Sequence, residues 1–121
     1  MAGDMWIRKG GTLWAEIEAG GSIRIGGSIV GEFEAGGTVR SGGSIVGEVE
    51  RSGTIRERGS IIGEIESGGS LRRNGSIVGE IEDGGMLRHG GSIWGRVEGN
   101  CSSHKVKRAV AAVLIFFSGE F

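Results

Sequence analysis

Residues 75–82 read GSIVGEIE, and near-copies of this phrase recur along the chain every sixteen residues. Residues 59–66 read GSIIGEIE, and residues 43–50 read GSIVGEVE. A shorter phrase, such as SLR at residues 70–72, lies between consecutive copies. Six copies of each phrase fill residues 3–98 as six repeats. A fixed period of this length is typical of repeat architectures.

Each phrase has the alternation of a β-strand. In the long phrase, Ile77, Gly79 and Ile81 would share one face of the strand, and Val78 and Glu80 would share the other. Only three residues, at least one of them glycine, separate one strand from the next. Connections this short join antiparallel neighbours as hairpins, whereas a parallel crossover needs a dozen residues or more.

The pairing that such loops impose gives a consistent sheet. With residues 83–85 as a loop, Glu80 faces Arg88 across the hairpin. With residues 89–91 as the next three-residue loop, Leu87 faces Ile93. Opposite charges then meet on one face and apolar side chains on the other, as cross-strand energetics prefers. The chain is therefore predicted to be a meander of twelve short strands.

The meander is predicted to close into a ring. An open sheet of this kind would leave two bare edge strands, which invite aggregation. The first strand, at residues 5–8, is a suitable partner for the last, at residues 92–98. Pairing these two strands would remove both edges.

The C-terminal segment is predicted to fill the ring as a helix over residues 104–118, after a connector at residues 99–103. Ser103 stands at the N-cap position and Gly119 follows the end. The segment is apolar all round from residue 109 onward, which indicates burial on every side. Lys105, Lys107 and Arg108 would form a charged collar at the mouth of the ring. The residues expected to form the core of the central helix are Val110, Val113, Leu114, Phe116 and Phe117.

These features resemble the bacterial β-flower proteins, in which four or five hairpins surround a central helix. The resemblance covers nearly the whole chain, although six repeats depart from the family number, and it implies no catalytic residues. The alternative fold is a parallel β-solenoid similar to the filament-forming bactofilins. In that fold the phrases would divide into three short units per turn, and the C-terminal segment would be an end cap.

Composition argues against several classes of function. The net charge of −1 provides no basic excess for binding nucleic acid. A single cysteine fits a reducing compartment, and the N-terminus lacks the apolar core of a signal peptide. The longest apolar run, residues 109–117, is too short to cross a bilayer. We therefore expect a soluble, cytoplasmic, single-domain protein of 121 residues.

No residues point to catalysis, so we expect neither an enzyme nor a bound cofactor. Cys101 and His104 have no second cysteine or histidine pair that would complete a metal site. His89 stands at a position that other repeats fill with serine, glutamate or arginine. The glutamates of the long phrase each have an arginine nearby, as on a solvated, salt-bridged surface.

One pattern predicts a binding partner. The fourth position of the long phrase is apolar in every repeat, and the alternation places it on the outer face. A continuous exposed belt that includes tryptophan is typical of an interface. We expect a two-fold homo-oligomer whose contact includes the seam where the first and last strands meet. The alternatives are a membrane-active protein that inserts its C-terminal helix and, if the fold is a solenoid, a filament-forming protein. The residues expected at the interface are Trp6, Trp14, Val30, Val46, Ile62, Val78 and Trp94.

Overall fold

The computed structural model describes residues 5–99 and 103–121. Within them lie twelve β-strands and one helix, α1 (His104–Phe117). The strands are β1 (Met5–Lys9), β2 (Thr12–Ile17), β3 (Ser22–Ile25), β4 (Ser28–Phe33), β5 (Thr38–Ser41), β6 (Ser44–Val49), β7 (Thr54–Glu57), β8 (Ser60–Ile65), β9 (Ser70–Arg73), β10 (Ser76–Ile81), β11 (Met86–His89) and β12 (Ser92–Glu98).

The strands form a closed antiparallel barrel in which each strand pairs with its neighbours in sequence, and β1 pairs with β12. At the closure, Ile7 lies opposite Val97 on one side and Ala15 on the other. The predicted hairpin ring is therefore confirmed, and the alternative of a parallel solenoid is wrong.

Loops of three residues connect the strands at one end of the barrel, here called the long-loop end. In the loop at residues 83–85, Gly85 has φ +99° and its N–H donates to the carbonyl of Glu82 at 2.9 Å. A Cβ on Gly85 would lie 2.4 Å from the carbonyl oxygen of Val97, so both the dihedral angle and the space require glycine. The predicted pairing across this loop is confirmed, with Glu80 opposite Arg88.

Turns of two residues, rather than the predicted three, connect the strands at the other end, here called the short-turn end. Gly90 and Gly91 have φ +59° and +89°, and His89 belongs to β11 instead of to the loop. Positive φ at both central residues is the type I′ turn that two-residue hairpins favour. Arg58 and Asn74 take the first position of two of these turns, also with positive φ.

The tighter turn changes which residues face the core. Arg88, rather than Leu87, lies opposite Ile93, and a β-bulge then brings Leu87 opposite Gly95. The predicted pairing of Leu87 with Ile93 is therefore wrong. The two-residue turn shifts the register by one, and the strand must insert an extra residue to match the next hairpin. The same bulge occurs in each of the six long strands, at the fourth position of the phrase.

Helix α1 runs through the barrel from the long-loop end to the short-turn end. The side-chain oxygen of Ser103 accepts a hydrogen bond from the Val106 N–H at 3.1 Å, and Gly119 follows the helix with φ +74°. Nine consecutive helical residues, 107–115, are buried, so the barrel wall surrounds the helix on all sides. Val110, Val113 and Leu114 are fully buried.

Inward-facing glycines of the barrel wall make room for the helix. A Cβ on Gly47 would lie 2.4 Å from the ring of Phe116, and a Cβ on Gly31 would lie 2.6 Å from the ring of Phe117. Both phenylalanines are half-buried at the short-turn end. At these two positions close packing of the wall against the helix requires glycine, whereas the first repeat has Ala15 at the equivalent position.

Candidate functional site: the outer wall and the two ends of the barrel

The third position of the long phrase forms an exposed apolar belt around the outer wall. The prediction placed this position inside, but the bulge turns it to the same side as the arginine on the neighbouring strand. The side chains of this belt are 50–61 % exposed and recur in every repeat, so they form a regular apolar surface rather than single scattered hydrophobic residues. The apolar belt consists of Leu13, Ile29, Ile45, Ile61, Ile77 and Ile93.

The fourth-position residues, predicted to form the outward belt, are half-buried instead. They pack against the hydrophobic core, and four of them also line grooves of the outer wall beside the apolar belt. They are Trp14, Val30, Val46, Ile62, Val78 and Trp94.

The tryptophans at the seam only partly gather as predicted. Trp14 and Trp94 meet edge to face, with ring centroids 5.5 Å apart. Trp6 is half-buried and lies opposite Glu16 and Glu98, nearer the long-loop end. Within residues 5–99 and 103–121, no aromatic contact joins it to the other two.

Ion pairs cover the outer wall between strands. In each repeat the arginine of the short phrase bonds the last glutamate of a long phrase on the adjacent strand, as Arg72 Nε does with Glu66 at 2.8 Å. The ring of pairs is complete, because Arg8 bonds Glu98 at 2.7 Å across the closure. These pairs are about one-third exposed or more, so each contributes only about 0–1 kcal/mol.

The sixth position of the phrase breaks its charge pattern at the seam. It is glutamate in the first five repeats, as at Glu16, but arginine in the last, at Arg96. Arg96 is exposed and lies opposite Arg8 in the register of β1 and β12. In the described part of the chain, neither Glu16 nor Arg96 makes an ion pair. The seam therefore carries two like charges side by side, Arg8 and Arg96, whereas Glu16 lies opposite Arg24 as the equivalent glutamates do in other repeats.

The C-terminal residues close the short-turn end of the barrel. Phe121 is buried against the rings of Trp94 and His89, at centroid distances of 5.1 and 4.6 Å. The carboxylate of Glu120 accepts hydrogen bonds from Lys9 and from Trp94 Nε1. These two donors lower the pKa of Glu120 below its usual value. The sequence offered no periodic signal for this contact, because these residues lie outside the repeats.

The opposite, long-loop end carries the cations of the helix N-terminus. Lys105 is exposed there, as the predicted collar requires, but Lys107 is 1 % exposed and Arg108 is 9 % exposed. Lys107 Nζ bonds Asp83 at 2.5 Å, and His104 Nε2 lies 3.2 Å from the carbonyl oxygen of Ile65. The helix therefore enters the barrel with two cationic side chains largely removed from solvent.

Similar grooves recur on the outer wall of the barrel. Four of them, with volumes of 220–320 Å³, lie in the first, second, third and fifth repeats, and each is lined by a belt side chain, a glutamate and an arginine. Among the described residues, no group of three or more side chains could hold a metal ion, and no helix could span a membrane. Cys101, named above beside His104, lies outside the described residues.

Comparison of the chain with protein-family models, with curated proteins and with solved structures finds no match. The function has to be inferred from the surface of the barrel itself.

Proposed function

We propose that this protein is a non-enzymatic structural module whose copies associate as a two-fold dimer across the seam formed by β12, β1 and β2. The observation that carries the proposal is the uncompensated charge of Arg96 beside the exposed belt residues Leu13 and Ile93. Each other repeat keeps a glutamate at this position, so the seam differs from the rest of the wall in sign of charge.

The register explains why Arg96 needs a partner. It stands opposite Arg8, whose Nε already bonds Glu98. Like charges directly opposite one another destabilise a sheet. A carboxylate from a second molecule would relieve this repulsion, and Glu16, two strands away, is a carboxylate without an ion-pair partner in the described part of the chain.

A two-fold axis parallel to the barrel axis brings these groups together. In such a dimer β1 faces β1, and β12 of one copy faces β2 of the other. Glu16 and Arg96 occupy the same position of two repeats in a closed ring, so they lie at the same level of the barrel. The axis therefore places Arg96 of each copy against Glu16 of the other, and Ile93 against Leu13.

The belt would supply most of the association energy. Leu13 and Ile93 are 50 % and 61 % exposed. Burying the exposed half of such a side chain contributes about 1–2 kcal/mol. Four belt side chains per dimer then contribute several kcal/mol, and the two charge pairs mainly select the partner and its orientation.

The other candidate functions have less support. Insertion of the helix into a membrane would require residues 107–115 to leave a barrel that buries them completely or nearly so. Filament formation was tied to the parallel solenoid, and the strands are antiparallel. The antiparallel hairpin ring around a helix is compatible with the β-flower proteins, and membership of that family with six repeats remains our proposal.

A charge swap tests the dimer. We expect sedimentation velocity to show a wild-type dimer and monomers for both Arg96→Glu and Glu16→Arg. The double variant should dimerise again, because it restores both charge pairs with their signs exchanged. Glu64→Arg is the matched control, since Glu64 occupies the same position on the far side of the barrel and should leave the dimer intact.

A monomeric wild type at high concentration would refute the proposal. So would a double variant that stays monomeric while both single variants are folded, because the two residues would then not face each other. Circular dichroism of each variant separates loss of association from loss of fold.

A further inference from the structure

Two arginines, Arg51 and Arg108, belong to the long-loop end of the barrel. Arg51 is exposed in the loop between β6 and β7. His104 packs against that same loop, because a Cβ on Gly53 would lie 3.3 Å from its Nε2. Arg108 is four residues after His104 and therefore lies on the same face of the helix, one turn deeper. The helix thus points Arg108 toward the loop that carries Arg51.

Arg108 is largely buried, and its Nε has no hydrogen-bond partner. The side chain is 9 % exposed, and its Nε is the one buried side-chain nitrogen or oxygen in the described residues that makes no hydrogen bond. A buried donor left unpaired is unfavourable, and a charged one more so. Burial lowers the pKa of Arg108, and the positive charge of Arg51 lowers it further, so each arginine lies within the field of the other.

Carboxylates at this end of the barrel already form ion pairs with other cations. Glu50 bonds Arg56 at 2.6 Å, Glu66 bonds Arg72 at 2.8 Å, and Asp83 bonds Lys107 at 2.5 Å.

The helix adds to the positive potential at this end. Its first turn has no acidic residue, and its N-terminus carries the positive end of the helix dipole.

We propose that Arg108 and Arg51 form a binding site for an oxyanion of the phosphate class at the long-loop end of the barrel. The guanidinium fork of arginine matches the oxygens of such an anion and binds them in pairs. An anion here would accept the unpaired Nε–H of Arg108, neutralise two adjacent cations and lie near the helix N-terminus. The remaining exposed part of Arg108 and the exposed loop residue Arg51 give the anion its access from solvent.

The free anion and a lipid headgroup share this chemistry, and the test distinguishes them. Thermal unfolding of the full chain is followed in increasing inorganic phosphate, against chloride at the same ionic strength. We expect phosphate to raise the midpoint steadily once its concentration exceeds the Kd, because a ligand of the native state stabilises it by mass action. In parallel, sedimentation with phosphatidylcholine vesicles, with and without phosphatidic acid, tests for a headgroup.

Three variants locate the site. Arg51→Gln lies in an exposed loop and should weaken phosphate binding about ten- to one-hundredfold, the loss of one charge-assisted hydrogen-bonding group. Arg108→Met should abolish the phosphate response. Lys105→Gln removes an exposed cation from the same helix end and should leave the response nearly unchanged. If Arg108→Met fails to fold, the comparison of Arg51→Gln with Lys105→Gln decides.

Phosphate or phosphatidic-acid binding that Arg51→Gln weakens and Lys105→Gln does not would support the site, and the arm that responds identifies the source of the anion. The site is refuted if neither phosphate nor phosphatidic acid has an effect beyond that of chloride. It is also refuted if Lys105→Gln weakens binding as much as Arg51→Gln, because the attraction would then be a diffuse effect of positive charge.

Discussion

Two isoleucines of one strand test the bulge, which is the feature that decides what the outer wall presents. Ile77 and Ile81 lie four residues apart in β10, so simple alternation would place both on one face. In the structure Ile77 is 57 % exposed and Ile81 is fully buried. We predict that Ile81→Ala destabilises the protein severely and Ile77→Ala only slightly.

The magnitudes follow from burial. Replacing a fully buried isoleucine by alanine costs about 2–5 kcal/mol, because a cavity is added to the lost transfer energy. Ile77 has less than half of its surface covered and leaves no cavity, so its replacement should cost under about 1 kcal/mol. The two free energies of unfolding should therefore differ by at least about 1–2 kcal/mol, from the same chemical change in the same strand.

Urea unfolding followed by tryptophan fluorescence measures both variants. A difference of this size moves the midpoint by about 0.5–2 M urea for a protein of this length. The protein concentration must be low enough to keep the chain monomeric, so that a contribution of Ile77 to association does not enter. Ile61 and Ile65 in β8, which are 60 % exposed and fully buried, provide an independent repeat of the comparison. Equal losses for the two members of a pair would mean that both face inward and that the strand has no bulge.

Two further predictions concern the contacts between wall, helix and C-terminus. Gly47→Ala should lower the free energy of unfolding in urea by about 1–3 kcal/mol, because its Cβ would overlap a helix phenylalanine and a backbone carbonyl. Gly36→Ala is the control: the space there is open, so the substitution should be neutral or slightly stabilising. Equal effects of the two substitutions would contradict the packing of the helix against Gly47. Lys9 and Trp94 hold the pKa of Glu120 below 4.5, so its contribution to stability is complete above about pH 4.5 and is lost as the pH falls through its lowered value. Between about pH 4.5 and the lowered pKa, the wild-type protein should therefore lose stability that Glu120→Gln does not lose. The same pH dependence of the free energy of unfolding in both proteins would show that the contact of Glu120 with Lys9 and Trp94 contributes nothing to stability.

Much of the fold could be predicted because short-range features of each repeat, its loop lengths and its alternation of residue types, determine how the strands pair. The three-residue loop at residues 83–85 sets the register of its hairpin, so that Glu80 meets Arg88 as predicted. The apolar segment after Ser103 predicted a helix that is buried on every side. Its position within the barrel follows from the volume that a twelve-stranded ring encloses.

The candidate sites were less predictable. The interface was expected at the fourth position of the phrase, but the exposed belt lies at the third, and Arg108 was expected at the rim but is buried. Both differences concern the solvent exposure of a side chain, which the alternation of residue types does not predict. The exception is Arg96, whose departure from the repeat was visible in the sequence.

The sequence by itself determined the number of hairpins, their antiparallel order, the closure of the ring and the helix within it, because each rests on periodicity, glycine-bearing turns and the need to cover edges and apolar surface. Only the tertiary structure decided the side on which Ile77 and its equivalents lie. The two-residue turns favour one register and the three-residue loops favour another. A strand that belongs to two hairpins can satisfy both only by inserting a bulge. The outer surface of this protein is the result of that local conflict, because the bulge moves an apolar side chain of every repeat from the core to solvent.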